Sequence, residues 1–254
     1  MFKRAIIIIL LLVFNVSCNS GHLKFSAADI LPRKGYVFVK KIVDIHACKK
    51  KKCIQDRYVA VGSGFIVKTS YKGSYVVTAA HVCLPAKSLR ANPEIKLRSR
   101  LKVETLSGRY FNAKVLDYNS KIDACMMFVE DMVSDVETVN IAERGPKEGD
   151  KIYNIASPHG IHNYNVVPLF EGRYIGRTMD DDMYVFPAAP GSSGSMILNE
   201  KGELIGLLHS VYMRMQQVVL SVRYDDLKQF IRRNLIENSQ EKYQSNSRQL
   251  LNKL

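Results

Sequence analysis

The chain has 254 residues, 46% of them hydrophobic and 24% charged, with five cysteines and no tryptophan, a size that suits one all-β domain behind a short leader. Lys and Arg outnumber Asp and Glu 37 to 24, for a formal charge of +13, but most of the cations are scattered among polar segments. The one concentrated run, Lys49-Lys50-Lys51-Lys52, has no interleaved aromatic residue on which a base could stack. No nucleic-acid partner is therefore expected, and a solvated cationic surface with some attraction to anionic lipid or cell wall is.

In chain order, the first element is a targeting segment. Lys3-Arg4 give a positive n-region, and residues 5–14 form an apolar run too short to span a bilayer comfortably, so residues 1–18 read as a secretory signal. Val16-Ser17-Cys18 resembles a bacterial lipoprotein processing site, with Cys18 the candidate for lipidation and membrane tethering; Asn15 departs from the usual aliphatic residue. The protein is expected to be exported: secreted, periplasmic or membrane-anchored. Residues 19–35 are polar and read as a spacer.

Strand signals follow. Gly62-Ser63-Gly64-Phe65-Ile66-Val67 and Ser74-Tyr75-Val76-Val77-Thr78 flank the turn-like Lys72-Gly73 and lead into Ala79-Ala80-His81. Asp123 opens the continuous apolar run Ala124-Cys125-Met126-Met127-Phe128, which reads as a buried strand. Met196-Ile197-Leu198 and Leu204-Ile205-Gly206-Leu207-Leu208 flank a turn and read as a hairpin after Gly191-Ser192-Ser193-Gly194-Ser195. Leu227, Phe230, Ile231 and Leu235 make one apolar helix face, and a polar tail is expected beyond residue 236. The acidic run Asp180-Asp181-Asp182 reads as a solvated loop.

His81, Asp123 and Ser193 occur in that order, 42 and 70 residues apart. A serine hydroxyl needs an imidazole to take its proton, and the imidazole needs a buried acceptor to fix its tautomer. Asp117 competes with Asp123 for the last role, but it precedes the loop-like Tyr118-Asn119-Ser120, whereas Asp123 opens an apolar strand. Glycines around Ser193 permit a tight turn that aims backbone N–H groups at a developing oxyanion.

These motifs, with Gly149-Asp150-Lys151-Ile152-Tyr153-Asn154-Ile155, resemble the trypsin-like (chymotrypsin-fold) serine peptidases, among them the HtrA/Deg-type and glutamyl-endopeptidase-like branches, over residues 36–235. The resemblance implies an all-β fold of two packed six-stranded antiparallel barrels, about residues 36–135 and 148–222, closed by a helix over 224–236. It implies a serine endopeptidase with nucleophile Ser193, general base His81, orienting Asp123 and an oxyanion hole from the N–H groups of Gly191 and Ser193. The substrate is a protein or peptide lying as an extended strand along His209-Ser210-Val211. No cofactor or metal is implied, and the lack of a PDZ-type domain implies a monomer. The rival reading is a catalytically silent binding module on the same fold.

Specificity reads less sharply. Pro187 stands where a trypsin-like pocket has its basal aspartate. Leu208 matches the histidine position by which glutamyl endopeptidases read an acidic P1 side chain, and His209 falls one residue later, on the opposite face by alternation. An aliphatic or small P1 residue is expected, with acidic P1 the alternative if a bulge turns His209 inward. Besides Cys18, Cys48 and Cys53 flank the tetralysine run, while Cys83 and Cys125 each lie two residues past a candidate catalytic residue. Four cysteines allow three pairings, and free thiols remain an option for the second pair.

Overall fold

A computed structural model describes residues 26–49, 52–92, 94–212 and 215–251. Cys18 and the expected signal lie outside the described residues. Among the described residues, twelve strands form two closed six-stranded antiparallel barrels, as expected. The first runs in the order β1-β2-β3-β6-β5-β4, with β1 Tyr36–Lys49, β2 Lys52–Ser70, β3 Gly73–Ala79, β4 Ile95–Thr105, β5 Tyr110–Asn119 and β6 Ala124–Glu130. The second runs β10-β11-β12-β9-β8-β7, with β7 Lys151–Ile155, β8 Leu169–Arg177, β9 Asp181–Val185, β10 Met196–Leu198, β11 Leu204–Tyr212 and β12 Met215–Val222.

Period-two alternation sets which side chains fill each barrel. Along β1, Val37, Val39 and Val43 are buried, and Lys41 lies in the same inward phase. β3 and β6 are apolar almost throughout and pair with each other from Gly73↔Glu130 to Ala79↔Ala124. The second barrel is filled by Ile152, Tyr174, Tyr184, Phe186, Ile197, Ile205, Leu208 and Val219. Leu31, in the expected spacer, is buried, so the ordered domain begins before β1.

Helix α2, Tyr224–Leu251, buries Leu227, Phe230 and Ile231, a spacing of three and four residues that forms one face. It runs past the expected end at residue 236. No Gly or Pro occurs between 224 and 251, so the polar tail carries no helix breaker.

The acidic run is not a solvated loop. Asp182 on β9 is fully buried and accepts hydrogen bonds from Arg177 Nε (2.7 Å), the Tyr174 hydroxyl (3.1 Å) and the Tyr224 N–H (2.7 Å). A buried carboxylate is stable only with such compensation. Burial, with the Asp182 charge beside it, pushes the Tyr174 phenol up to about 12. The cluster ties β8 and β9 to the start of α2.

Candidate active site

β3 delivers His81 directly into α1, the single helical turn Ala80–Cys83. The free carbonyls at the end of this turn are satisfied from beneath. Lys41 Nζ, on a residue only 4% exposed, donates to the His81 carbonyl at 2.6 Å and to that of Leu84 at 2.5 Å. An inward lysine is costly unless hydrogen-bonded, and here it caps the C-terminal end of α1 with a favourable charge.

Asp123 sits at the start of β6 in the left-handed region (φ 54°), which Asp tolerates better than most residues. It grips α1 at three points. Its carbonyl accepts the Ala80 N–H at 3.0 Å, its Oδ1 accepts the His81 N–H at 2.9 Å, and its Oδ2 lies 2.6 Å from His81 Nδ1. The Cys83–Cys125 disulfide fastens the same two segments covalently, and the other cysteines pair as Cys48–Cys53. Asp117 is engaged elsewhere, accepting from Arg233 at 2.7 Å and Asn234 at 3.0 Å on α2.

Ser193 lies on the turn between β9 and β10. Gly191 (φ 100°) and Gly194 (φ 86°) hold backbone conformations that L side chains rarely adopt. A Cβ at Gly191 would collide with the Ser157 carbonyl, and one at Gly194 with Thr78 Oγ1 and the Ser63 carbonyl. The turn thus lies directly against β2 and the last residues of β3, just ahead of His81. Ser63 N–H donates to the Ser193 carbonyl at 2.9 Å, Ser63 Oγ donates to the Gly191 carbonyl at 2.9 Å, and Gly194 N–H donates to Leu208. Among the described residues, neither the Gly191 nor the Ser193 N–H has a protein acceptor. Ser193 Oγ donates to the His209 carbonyl at 3.3 Å.

The expected specificity residues part company. The chain leaves β9 with Asp182, Tyr184 and Phe186 buried, so alternation leaves Pro187 exposed rather than at the floor of a pocket. Leu208 is buried opposite Ser221, in a cluster with Phe186, against which Ala188 and Val211 also pack. β11 does carry a bulge between Leu208 and Ser210, but it does not free the ring of His209 for a substrate. The ring is held by Asp181 (Nε2 to Oδ1, 2.8 Å) and Ser210 Oγ (to Nδ1, 3.0 Å). His46 lies near Cys48 and Cys53, but those two sulfurs are bonded to each other. A cavity of about 410 Å³ opens beside His81 and Asp123, lined also by Lys41, Tyr58, Leu84 and Pro85.

Sequence reasoning passed over Lys41, Asp181 and the Ser63–Ser157 pair behind Gly191. Lys41 was detectable as the one charged residue in the inward phase of Val37, Val39 and Val43. The other contacts join residues far apart in the chain, Ser157 N–H donating to Ser63 Oγ for example, and carry no local signature.

The family model described as Trypsin-like peptidase domain matches residues 62–207. A probable periplasmic serine endoprotease DegP-like from Hahella chejuensis is 26% identical over 162 residues, covering 61% of this chain and 30% of the relative. The serine protease HTRA1B of Danio rerio is 26% identical over 207 residues, covering 75% of this chain and 40% of the relative. A DegP-like protein of Pseudomonas putida is 26% identical over 161 residues. The chain thus spans well under half the length of these relatives, 30% and 40% of the first two.

Proposed function

The chain belongs to the trypsin-like peptidase domain family, and on that premise we propose that it is a serine endopeptidase acting through His81, Asp123 and Ser193. The observation that carries the reading is the triple grip of Asp123 on His81, with Oδ2 2.6 Å from Nδ1. That contact leaves Nε2 to act as general base. In this mechanism Ser193 Oγ leaves the His209 carbonyl, to which it donates at 3.3 Å, and pairs with His81 Nε2 instead. Oγ attacks the scissile carbonyl as its proton passes to Nε2. The N–H groups of Gly191 and Ser193, which have no acceptor among the described residues, receive the oxyanion. His81 then protonates the leaving amine, and water releases the acyl group from Ser193.

The substrate lies extended along the backbone of β11 at His209, Ser210 and Val211, in β-augmentation. Leu208 and Phe186 belong to the barrel core, and the partly buried Ala188 and Val211 packed on them offer an apolar flank that supports an aliphatic or small P1 side chain. Glutamate at P1 would need the His209 ring, which Asp181 and Ser210 already hold. Export fits two disulfides, which persist in oxidising compartments, and the periplasmic naming of the DegP-like relatives. Within that reading, Cys18 carries the lipid tether. The deciding experiment is labelling with a fluorophosphonate probe, which reacts only with an activated serine. Wild type labels and Ser193→Ala does not; equal labelling of the two, or none of wild type, overturns the assignment.

A further inference from the structure

The outer face of the first barrel has a charge pattern that catalysis does not use. The register sets Lys40, Ile42, Asp44 and His46 of β1 opposite Lys102, Arg100, Arg98 and Lys96 of β4, and opposite Val61, Val59, Arg57 and Gln55 of β2. β5 extends the same face, with Asn112 opposite Lys102 and Lys114 two residues on. Lys40, Arg57, Lys96, Arg98, Arg100, Lys102 and Lys114 are all exposed. The carboxylate among them is Asp44, which pairs with Arg57 at 2.5 Å and Arg100 at 3.0 Å. Glu104 and Glu130 border the array, Glu104 half-buried 3.3 Å from His162 Nε2. Among the described residues, Lys40, Lys96, Arg98, Lys102 and Lys114 have no ion-pair partner.

From this the geometry points to an anionic phospholipid surface as the partner of this face. Lys96, Arg98, Arg100 and Lys102 occupy alternate positions of one strand, about 7 Å apart, and the neighbouring strands, about 4.8 Å away, add further cations. The charges therefore form a two-dimensional array over four strands rather than a single track for a linear polyanion. The face offers Ile42, Val59 and Val61 between the cations, and no aromatic side chain to stack a base between Lys96 and Lys102. Lys52 at the β1–β2 hairpin end adds another exposed cation, and Lys49, Lys50 and Lys51 are its neighbours in sequence. The opposite face of β1 is the one that holds Lys41 beneath α1, so a bilayer on this side leaves the support of His81 untouched. Each Lys or Arg close to an anionic leaflet contributes about fivefold in partitioning.

The test uses the full-length chain and vesicles of phosphatidylcholine, with or without one-third phosphatidylglycerol, at physiological salt. Binding to phosphatidylcholine alone reports any contribution of the N-terminal apolar segment, and the ratio between the two vesicles isolates charge. Wild type is expected to prefer the phosphatidylglycerol vesicles, and the triple variant Lys96→Gln, Arg98→Gln, Lys102→Gln to lose about a hundredfold of that preference. Thermal melting of the variant, expected to match wild type, shows that the barrel stands whether or not Ser193 reacts. A wild type without preference overturns the proposal, and so does a triple variant that keeps it. Retention on heparin at a salt concentration that abolishes vesicle binding would overturn it in favour of a linear polyanion.

Discussion

Replacing Cys83 and Cys125 together by Ala tests whether the base and its carboxylate depend on a covalent staple. The bond closes a loop of 42 residues, for which loop-closure entropy gives about 4 kcal/mol at 25 °C. The Cys48–Cys53 bond spans 5 residues and, by the same relation, is worth about 2 kcal/mol. For a domain of this size, 4 kcal/mol corresponds to a Tm lower by roughly 8–16 °C. Calorimetry of wild type, Cys83→Ala/Cys125→Ala and Cys48→Ala/Cys53→Ala in one buffer reads both differences. The first pair should cost about twice the second. Activity per folded molecule should fall through kcat more than KM, because both cysteines lie two residues from His81 and Asp123, the proposed base and its orienting carboxylate, while the proposed substrate strand lies on β11. If the 83/125 variant melts no lower than the 48/53 variant, loop closure is not what this bond contributes and the reasoning fails.

Asp123→Asn should lower kcat about four orders of magnitude, since the amide favours the wrong imidazole tautomer; Asp117→Asn should not, and steady-state kinetics on a peptide substrate separates them. Lys41→Met removes the donor to the His81 and Leu84 carbonyls and should cost about 1–3 kcal/mol in urea unfolding, with reduced fluorophosphonate labelling. Asp182→Asn breaks the buried contact to Arg177 and should cost about 3–5 kcal/mol, read by the same unfolding curve. The Tyr174 phenol is raised from 10.0 to about 12, so the stability it contributes is present below pH 10 and lost as pH rises through 12. Tyr174→Phe should flatten that alkaline loss.

Much of the barrel architecture was readable, because β3, β6 and β11 announce themselves as apolar runs bounded by turns. His81, Asp123 and Ser193 could be singled out for a related reason: each borders such a strand, so local context distinguishes it from other residues of its type. The long-range contacts left no such trace. Asp180-Asp181-Asp182 looked solvated because a carboxylate's partners, here Arg177, Tyr174, Tyr224 and His209, are chosen by folding. The resemblance puts Pro187 at the floor of a pocket, yet the phase carried forward along Asp182, Tyr184 and Phe186 decides which way it faces. The pairing of Cys83 with Cys125 follows from β3 and β6 lying side by side, a contact with no local trace in the sequence.

Ser193 belongs to the second barrel by sequence, but its carbonyl is hydrogen-bonded to Ser63 of the first, and Gly194 rests on Thr78. The turn therefore works as a splice across the two halves. On the proposed roles of these residues, a nascent chain whose first barrel has closed before the second emerges holds base and carboxylate without a nucleophile. On the proposed reading, parting this seam would take Ser193 from His81 without breaking a hydrogen bond within either barrel. Activity then reports the joint between the barrels, and a heated sample should fall silent at a lower temperature than the one at which its circular dichroism changes.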